Sequence, residues 1–429
     1  MKITIHRGAE EIGGNCIELE SGGSRILLDC GTPLPKIDAL GNMVQVDPKL
    51  NINGLYADCD TSINGIIISH THQDHYGMLF EKPINKNIPV YMSEIMEEMI
   101  RISGKMGPLH TDLRVKVKRF VRNKSFTIGA FEITPYLVDH SAAEAFSFLI
   151  QAEGKRIIYT GDYREHGHKN VFNKFLDIDM GRIDLLITEG TMAGEEEGKT
   201  EKIIMQEMAR LIQKKKGTVY VMCAGQNIDL LASLGGIADR SKRYLVIDAY
   251  VALVLERFKA IARSKGVHLK IPGLDKEYVK IVDNYAIRSV RRYTSYTDTI
   301  KEIKKKIVSW DWINKNIDRL IFPVRSHSQE WIDENIDTFD RAVFIYSMWE
   351  GYQEGEGFKE TIDYFKGHNM EPHPIHASGH AYMSTIRKLV KNKKPKMIIP
   401  VHTEHPELFK KEFGKKVYVM KNGESLVID

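Results

Sequence analysis

Up to about position 190, short apolar runs closed by Gly, Asn or Asp succeed one another with the alternation of half-buried strands. They predict strands at Lys2 to His6, Cys16 to Leu19, Arg25 to Asp29, Ile66 to Ser69, Val90 to Met92, Phe131 to Tyr136, Ala145 to Gln151, Lys155 to Thr160 and Leu185 to Thr188. From about 200 the period changes. Helices are predicted at Glu201 to Lys214, Ile228 to Asp239 and Tyr250 to Arg263, with strands Thr218 to Cys223 and Arg243 to Ile247 between them. That alternation is the rhythm of a parallel, doubly wound sheet. Residues 275–318 read as helical and charged, and strands return at Leu320 to Val324 and Ala342 to Tyr346. Helix Met383 to Lys391 and strand Lys396 to Pro400 then lead into His402.

A chain of 429 residues exceeds what one core usually serves, so two domains are expected. Apolar residues at 42% and charged residues at 28% are ordinary for a globular protein. A formal charge of +4 excludes a heavily basic nucleic-acid binder, so contact with a polyanion has to rely on local clusters. Cys16, Cys30, Cys59 and Cys223 form no CxxC pair, which argues against a disulfide framework or a thiolate metal site and for a reducing, cytoplasmic setting. The amino terminus lacks the apolar segment of a signal peptide and no run approaches 18 apolar residues, so neither secretion nor a membrane is expected.

The densest chemistry is Ser69-His70-Thr71-His72-Gln73-Asp74-His75, delivered by the apolar stretch Gly65 to Ile68. In extended chain His70 and His72 project to one side and share an ion, while Asp74 and His75, past the bend, face a neighbouring position. Two metals about 3.5 to 4 Å apart suit that spacing. A chance histidine-rich surface loop is the competing reading, but three crowded imidazoles repel one another when protonated. Further donors stand where other strands end: His140 after Ile133 to Val138, and Asp162 after Ile157 to Tyr159. Asp162 is the natural bridge between two cations, and Asp29 is better placed to orient a ligating imidazole or the loop.

The succession Leu28-Asp29-Cys30-Gly31, Ser69 to His75, Asp139-His140-Ser141 and Thr160-Gly161-Asp162 resembles the metallo-β-lactamase hydrolases. The resemblance implies an αββα sandwich holding two zinc ions per chain, one on His70, His72 and His140, the second on Asp74 and His75, with Asp162 bridging. A long α/β segment intervenes before further ligands, and Ile187-Thr188-Glu189-Gly190-Thr191, His376-Ala377-Ser378-Gly379-His380 and Pro400-Val401-His402-Thr403-Glu404 look like signatures of the β-CASP subgroup, which acts on nucleic acids and includes RNase J. That match implies a first metallo-β-lactamase part at 1–195, an inserted doubly wound β-CASP domain at 196–374 and a closing part at 375–429. It also implies that His402 completes the second zinc and that Glu189 and His380 pair near the leaving oxygen.

The implied enzyme is a zinc-dependent nuclease that hydrolyses phosphodiester bonds in RNA with a two-metal-activated hydroxide, with single-stranded DNA and a homo-oligomeric state left open. Asp74, Asp162, Glu189 and His380 are its expected catalytic groups. His376, Ser378 and Gly379 are expected phosphate contacts, and Gly225-Gln226-Asn227 at a strand-to-helix turn is a second anion candidate. RNase J usually has Ser-Asn where this chain has Gly225-Gln226-Asn227. Two basic clusters are candidates for the polyanion: Arg114 to Lys124, and Arg387 to Lys396, which its proximity to His380 and His402 favours. Arg164 and Lys169 are further phosphate candidates; His166 and His168 read as loop residues. Two alternatives stand beside the nuclease: a small-molecule hydrolase of thioesters, lactones or lactams, and an inactive scaffold partner.

Overall fold

The computed structural model describes residues 1–37, 43–56, 62–107, 110–284, 286–287, 296–355 and 357–428. Cys59 lies outside them, as do positions 285 and 288–295 of the stretch expected to be helical. The chain divides into two compact units, one of Met1–Gly104, Thr111–Gly198 and Gly379–Asp429, the other of Lys105–His110 and Lys199–Ser378.

In the first unit a seven-stranded and a six-stranded sheet share one core, to which Ile5, Leu19, Leu28 and Ile66 contribute from the first and Phe131, Phe148, Ile157 and Ile187 from the second. Strand alternation sorts the side chains. Ile157 and Tyr159 enter this core, whereas Ile158 joins a separate cluster with Phe172 and Phe175 of helix Val171–Leu176 and Ile386 and Leu389 of helix Met383–Lys393. Helix Glu94–Met106 packs Met96 and Ile100 on the first sheet, which completes an αββα sandwich. Strands Lys155–Tyr159, Leu185–Glu189 and Met397–Val401 lie side by side and parallel, with Tyr159 opposite Ile187 and Ile187 opposite Ile399. Their carboxyl ends therefore open on one edge of the sheet, where Asp162, Glu189 and His402 follow.

The second unit is built on a seven-stranded sheet whose strands all pair in parallel, in the order Ile307–Val308, Val279–Val282, Tyr244–Ile247, Leu320–Val324, Val219–Met222, Val343–Tyr346, Pro372–Pro374. Helices Glu201–Lys214, Ile228–Ser241 and Ala249–Ser264 start on Thr200, Asn227 and Asp248, whose side-chain oxygens accept from the amides of Ile203, Leu230 and Val251. Each such cap stabilises its helix by about 1 kcal/mol. The stretch 275–318 departs from the helical expectation. It holds strands Val279–Val282 and Ile307–Val308 beside helices Thr297–Lys305 and Trp310–Lys315, because sheet partners outweigh the local charge that suggested helix. Among the described residues no helix is long and apolar enough to cross a membrane.

Candidate metal centre

Strand Ile63–Ile67 pairs in parallel with Ser24–Leu28, so the chain leaves both at the same edge. The Ser69 amide and hydroxyl donate to Asp29 Oδ1 and Oδ2 at 2.6 and 2.7 Å. Beyond His72 the expected bend takes the form of a single helical turn, Gln73–Tyr76. The cause lies far away in sequence: amides of Asn15, Cys30 and Thr32 donate to the carbonyls of Asp74, His75 and Gln73 at 3.0, 2.8 and 3.1 Å. Gly31 permits that approach, since a Cβ there would lie 1.7 Å from the Asp74 carbonyl oxygen.

Seven donors converge. The nitrogens of His70, His72 and His140 fall within 4.8 Å of one another, and so do donor atoms of Asp74, His75 and His402. His140 Nε2 is 3.0 Å from His72 Nδ1, and His402 Nε2 is 3.0 Å from Asp74 Oδ2. Asp162 stands between the two groups, its Oδ2 3.2 Å from His75 Nε2, 3.7 Å from His70 Nε2, 3.8 Å from His402 Nε2 and 4.0 Å from His140 Nε2.

Both Asp162 oxygens, together with His70 Nε2 and His75 Nε2, are buried without a hydrogen-bond partner. Leaving such atoms bare costs about 1–3 kcal/mol each, more for a charged group, unless a cation completes them. The remaining ring nitrogens are tied down. His75 Nδ1 donates to Asp29 Oδ2 at 2.7 Å, His140 Nδ1 to the Gly379 carbonyl at 2.5 Å, His402 Nδ1 to Thr191 Oγ1 at 2.7 Å and His70 Nδ1 to Ser69 Oγ at 3.1 Å. An imidazole held through Nδ1 presents its Nε2 lone pair inward, toward a metal; His72 instead turns Nδ1 to the cluster.

Electrostatics agree with the geometry at three of the imidazoles; at His75 burial is outweighed by Asp162, Asp74 and Asp29, which raise its pKa well above the ordinary histidine range, a proton that a bound cation would displace. Burial, then the neighbouring imidazoles, pushes His70 and His140 well below the ordinary histidine range, and burial takes His72 down to about 4. These three are neutral at neutral pH, the state that binds a cation. Burial works against the carboxylates of Asp74 and Asp162, but the surrounding histidines outweigh it and hold both ionised.

Beside this cluster, Glu189 Oε1 accepts from the Tyr163 and Ala381 amides at 3.0 and 3.2 Å, and His380 Nδ1 lies 3.1 Å from Glu189 Oε2. Burial opposes a charged His380, yet Glu189 and Asp162 overcome it and lift its pKa to about 9. Donor atoms of Asp162, Glu189, His380 and His402 also fall within 4.8 Å, so His380 as a metal ligand competes with His380 as a proton donor.

Gly379 has a use that its sequence context did not suggest. Its carbonyl orients His140, and a Cβ there would sit 2.6 Å from Ser141 Oγ and 2.9 Å from His140 Cε1. The roles of Thr191 and of Tyr159, whose hydroxyl donates to Asp29 Oδ2 at 2.5 Å, were equally missed; no local pattern marks either. His376 and Ser378, both half-buried, belong to the second unit. So do Gly225, Gln226 and Asn227 at the amino end of helix Ile228–Ser241, where Asn227 Oδ1 is spent on the Leu230 amide at 3.1 Å and Gln226 Nε2 donates to Tyr250 at 3.1 Å.

Three expectations about phosphate contact are corrected. Arg164 is fully buried and donates through Nε to Asp139 Oδ1 at 3.0 Å, one residue from His140, while Lys169 Nζ reaches the His140 and Ala142 carbonyls at 3.4 and 3.5 Å. The cluster Arg387 to Lys396 is largely consumed: Arg387 pairs with Glu196 and Glu412, Lys388 with Glu165, Lys396 with Asp184, and Lys393 Nζ donates to the carbonyls of Phe175, Leu176 and Ile178 at 3.0, 2.8 and 2.7 Å. The other basic cluster, edge strand Lys116–Arg119 with its flanks Arg114, Arg122 and Lys124, is exposed, and of it Arg119 pairs with Glu94 and Glu97. Arg164→Met is expected to leave Asp139 buried without its cationic partner, with the Lys169 amide still donating to Oδ2 at 3.1 Å, and to lower the unfolding free energy by about 3–5 kcal/mol in urea titration; a change under 1 kcal/mol would show the pair to be dispensable.

Residues 24–223 match the profile of the beta-lactamase superfamily domain, and residues 360–420, which include His380 and His402, match that of the Zn-dependent metallo-hydrolase RNA specificity domain. Ribonuclease J of Mycoplasma genitalium is 24% identical over 421 residues, covering 94% of this chain and 68% of that protein. An RNase J-like protein of Methanocaldococcus jannaschii is 24% identical over 251 residues, 53% of each chain. The crystal structure of a protein of unknown function from Enterococcus faecalis superposes with a TM-score of 0.74 at 19% identity, over 100% of this chain and 99% of that one, which shows a shared fold.

Proposed function

We propose that the chain belongs to the metallo-β-lactamase superfamily, in its β-CASP, RNase J-like branch, and that it is a zinc-dependent ribonuclease hydrolysing phosphodiester bonds. The observation that carries this reading is Asp162, a buried carboxylate with two bare oxygens ringed by imidazoles. Nitrogen and carboxylate donors without thiolates suit zinc. His70, His72 and His140 would hold one ion, Asp74, His75 and His402 the other, and Asp162 both. Such a pair supplies Lewis acidity that readies water as a nucleophile at neutral pH and neutralises charge on a phosphoryl group.

The chain's own groups do the rest. Asp29, Ser69, Thr191 and the Gly379 carbonyl keep the imidazoles in one tautomer. His380, charged by Glu189, stands ready to protonate the departing oxygen. His376, Ser378 and Gly379 are proposed phosphate contacts, and the Gly225 to Asn227 turn is proposed as a further one. The buried, unbridged thiols of Cys16, Cys30 and Cys223 favour a cytoplasmic setting.

The test is elemental analysis of protein purified without chelator, then assay on labelled RNA, a chromogenic lactam and a thioester. Two equivalents of zinc and cleavage of RNA alone are expected. Turnover of the lactam or thioester with RNA intact would transfer the assignment to a small-molecule hydrolase.

A further inference from the structure

The carboxyl edge of the second unit's sheet bears a pair of aromatic rings that its own core does not use. Strand Val343–Tyr346 runs into a loop on which Trp349 is 44% and Tyr352 37% exposed, their centroids 5.3 Å apart and their planes perpendicular. Trp331, by contrast, packs in the unit's core, and Trp310 and Trp312 pack against it.

The exposed pair is held in place. The buried Tyr346 hydroxyl donates to the Trp349 carbonyl at 2.8 Å, and Tyr352 stacks on Phe358 at 5.9 Å with planes 23° apart. Gly351 lies under the indole, where a Cβ would come within 2.4 Å of the ring. The pair thus offers a fixed, partly exposed aromatic face.

Its surroundings indicate a ligand for it. The Ser347 amide donates to Met222 and the Ile375 amide to Tyr346, at 3.0 and 3.1 Å, so the loop's strand ends beside two others at one edge. One of those leads into the Gly225 to Asn227 turn and the other into His376, Ser378 and, in sequence, His380. Ligands of open parallel sheets bind at that edge. An aromatic face accepts any nucleobase but cannot reach one that is stacked inside a duplex.

The geometry points to Trp349, steadied by Tyr352, as a stacking platform for an unpaired base of the RNA. This rests on the ribonuclease reading. Because stacking ignores base edges, little sequence preference accompanies it.

The experiment compares the full chain with Trp349→Ala, Trp349→Leu and Trp349→Phe on a labelled single-stranded oligoribonucleotide and on the same strand annealed to its complement. Loss of one stacked base is expected to raise KM for the single strand roughly 5- to 150-fold in the Ala and Leu variants. Metal content and kcat are spared, the preference over duplex shrinks, and the Phe variant recovers most of the loss. Recovery by Phe and not by Leu separates a π-face from mere bulk. If the parent cleaves RNA and the Ala and Leu variants keep its KM, the platform is refuted and the nuclease reading survives. A parent that cleaves no RNA refutes both.

Discussion

His72→Ala is expected to lose bound zinc and, with it, at least about a thousand-fold in kcat/KM on RNA. The reason lies in how little else can replace this nitrogen. His72 Nδ1 faces His140 Nε2 at 3.0 Å, and with His70 these are the donors at their end of the cluster. Alanine removes one of three imidazoles and leaves the other two with a carboxylate that Asp162 would also offer to the second ion, so the affinity for zinc at that end falls. The variant is also expected to remain folded, because His72 lies in a loop, its neighbour Ser69 carries the bonds to Asp29, and the turn that follows hangs on backbone amides of residues 15, 30 and 32. Elemental analysis and a thermal melt on one preparation decide the matter. Two equivalents of zinc retained by His72→Ala would remove it from the ligand set.

Why the donors could be read from sequence, and their supports could not, has a physical explanation. A ligand at a strand end leaves a local trace, an apolar run closed by a polar residue, and His70, His140, Asp162 and His402 all show it. The helical turn at Gln73–Tyr76 leaves none, since it is imposed by amides some 40 to 60 positions upstream. The same holds for the Gly379 carbonyl on His140 and for Tyr159 on Asp29, contacts that exist only once the sheets have closed. Charge misled for a related reason. Arg387, Lys388 and Lys393 look like a polyanion site in one dimension, but each has acidic or carbonyl partners from distant segments. Residues 275–318 read as helix because charged side chains recur through them, while Val279 to Val282 finds its strand partner at Tyr244–Ile247.

His380→Ala is expected to behave in the opposite way to His72→Ala: zinc stays at two equivalents and turnover falls about 10²- to 10⁴-fold, the contribution of a positioned general acid. His380 is the member of the cluster whose Nδ1 is held by Glu189, at 3.1 Å, and lies 3.5 Å from Asp162 Oδ2. Its imidazole remains 21% exposed where the other ligand candidates on the strand ends are sealed, so the group can meet a departing oxygen. The pH profile distinguishes a proton donor from a ligand. A raised pKa of about 9 keeps His380 charged through neutrality, and activity is lost as pH rises through that value. Filled cation sites across Asp162 pull the same pKa down, which places the alkaline limb at or below about pH 9. Glu189→Gln removes the carboxylate that stabilises the charged ring and is expected to move the limb further toward acid, with rate retained below it. The His380→Ala profile should lack the limb altogether. Loss of one zinc from His380→Ala, or an alkaline limb unmoved by Glu189→Gln, would instead make His380 a metal ligand completing the Asp162, Glu189 and His402 group.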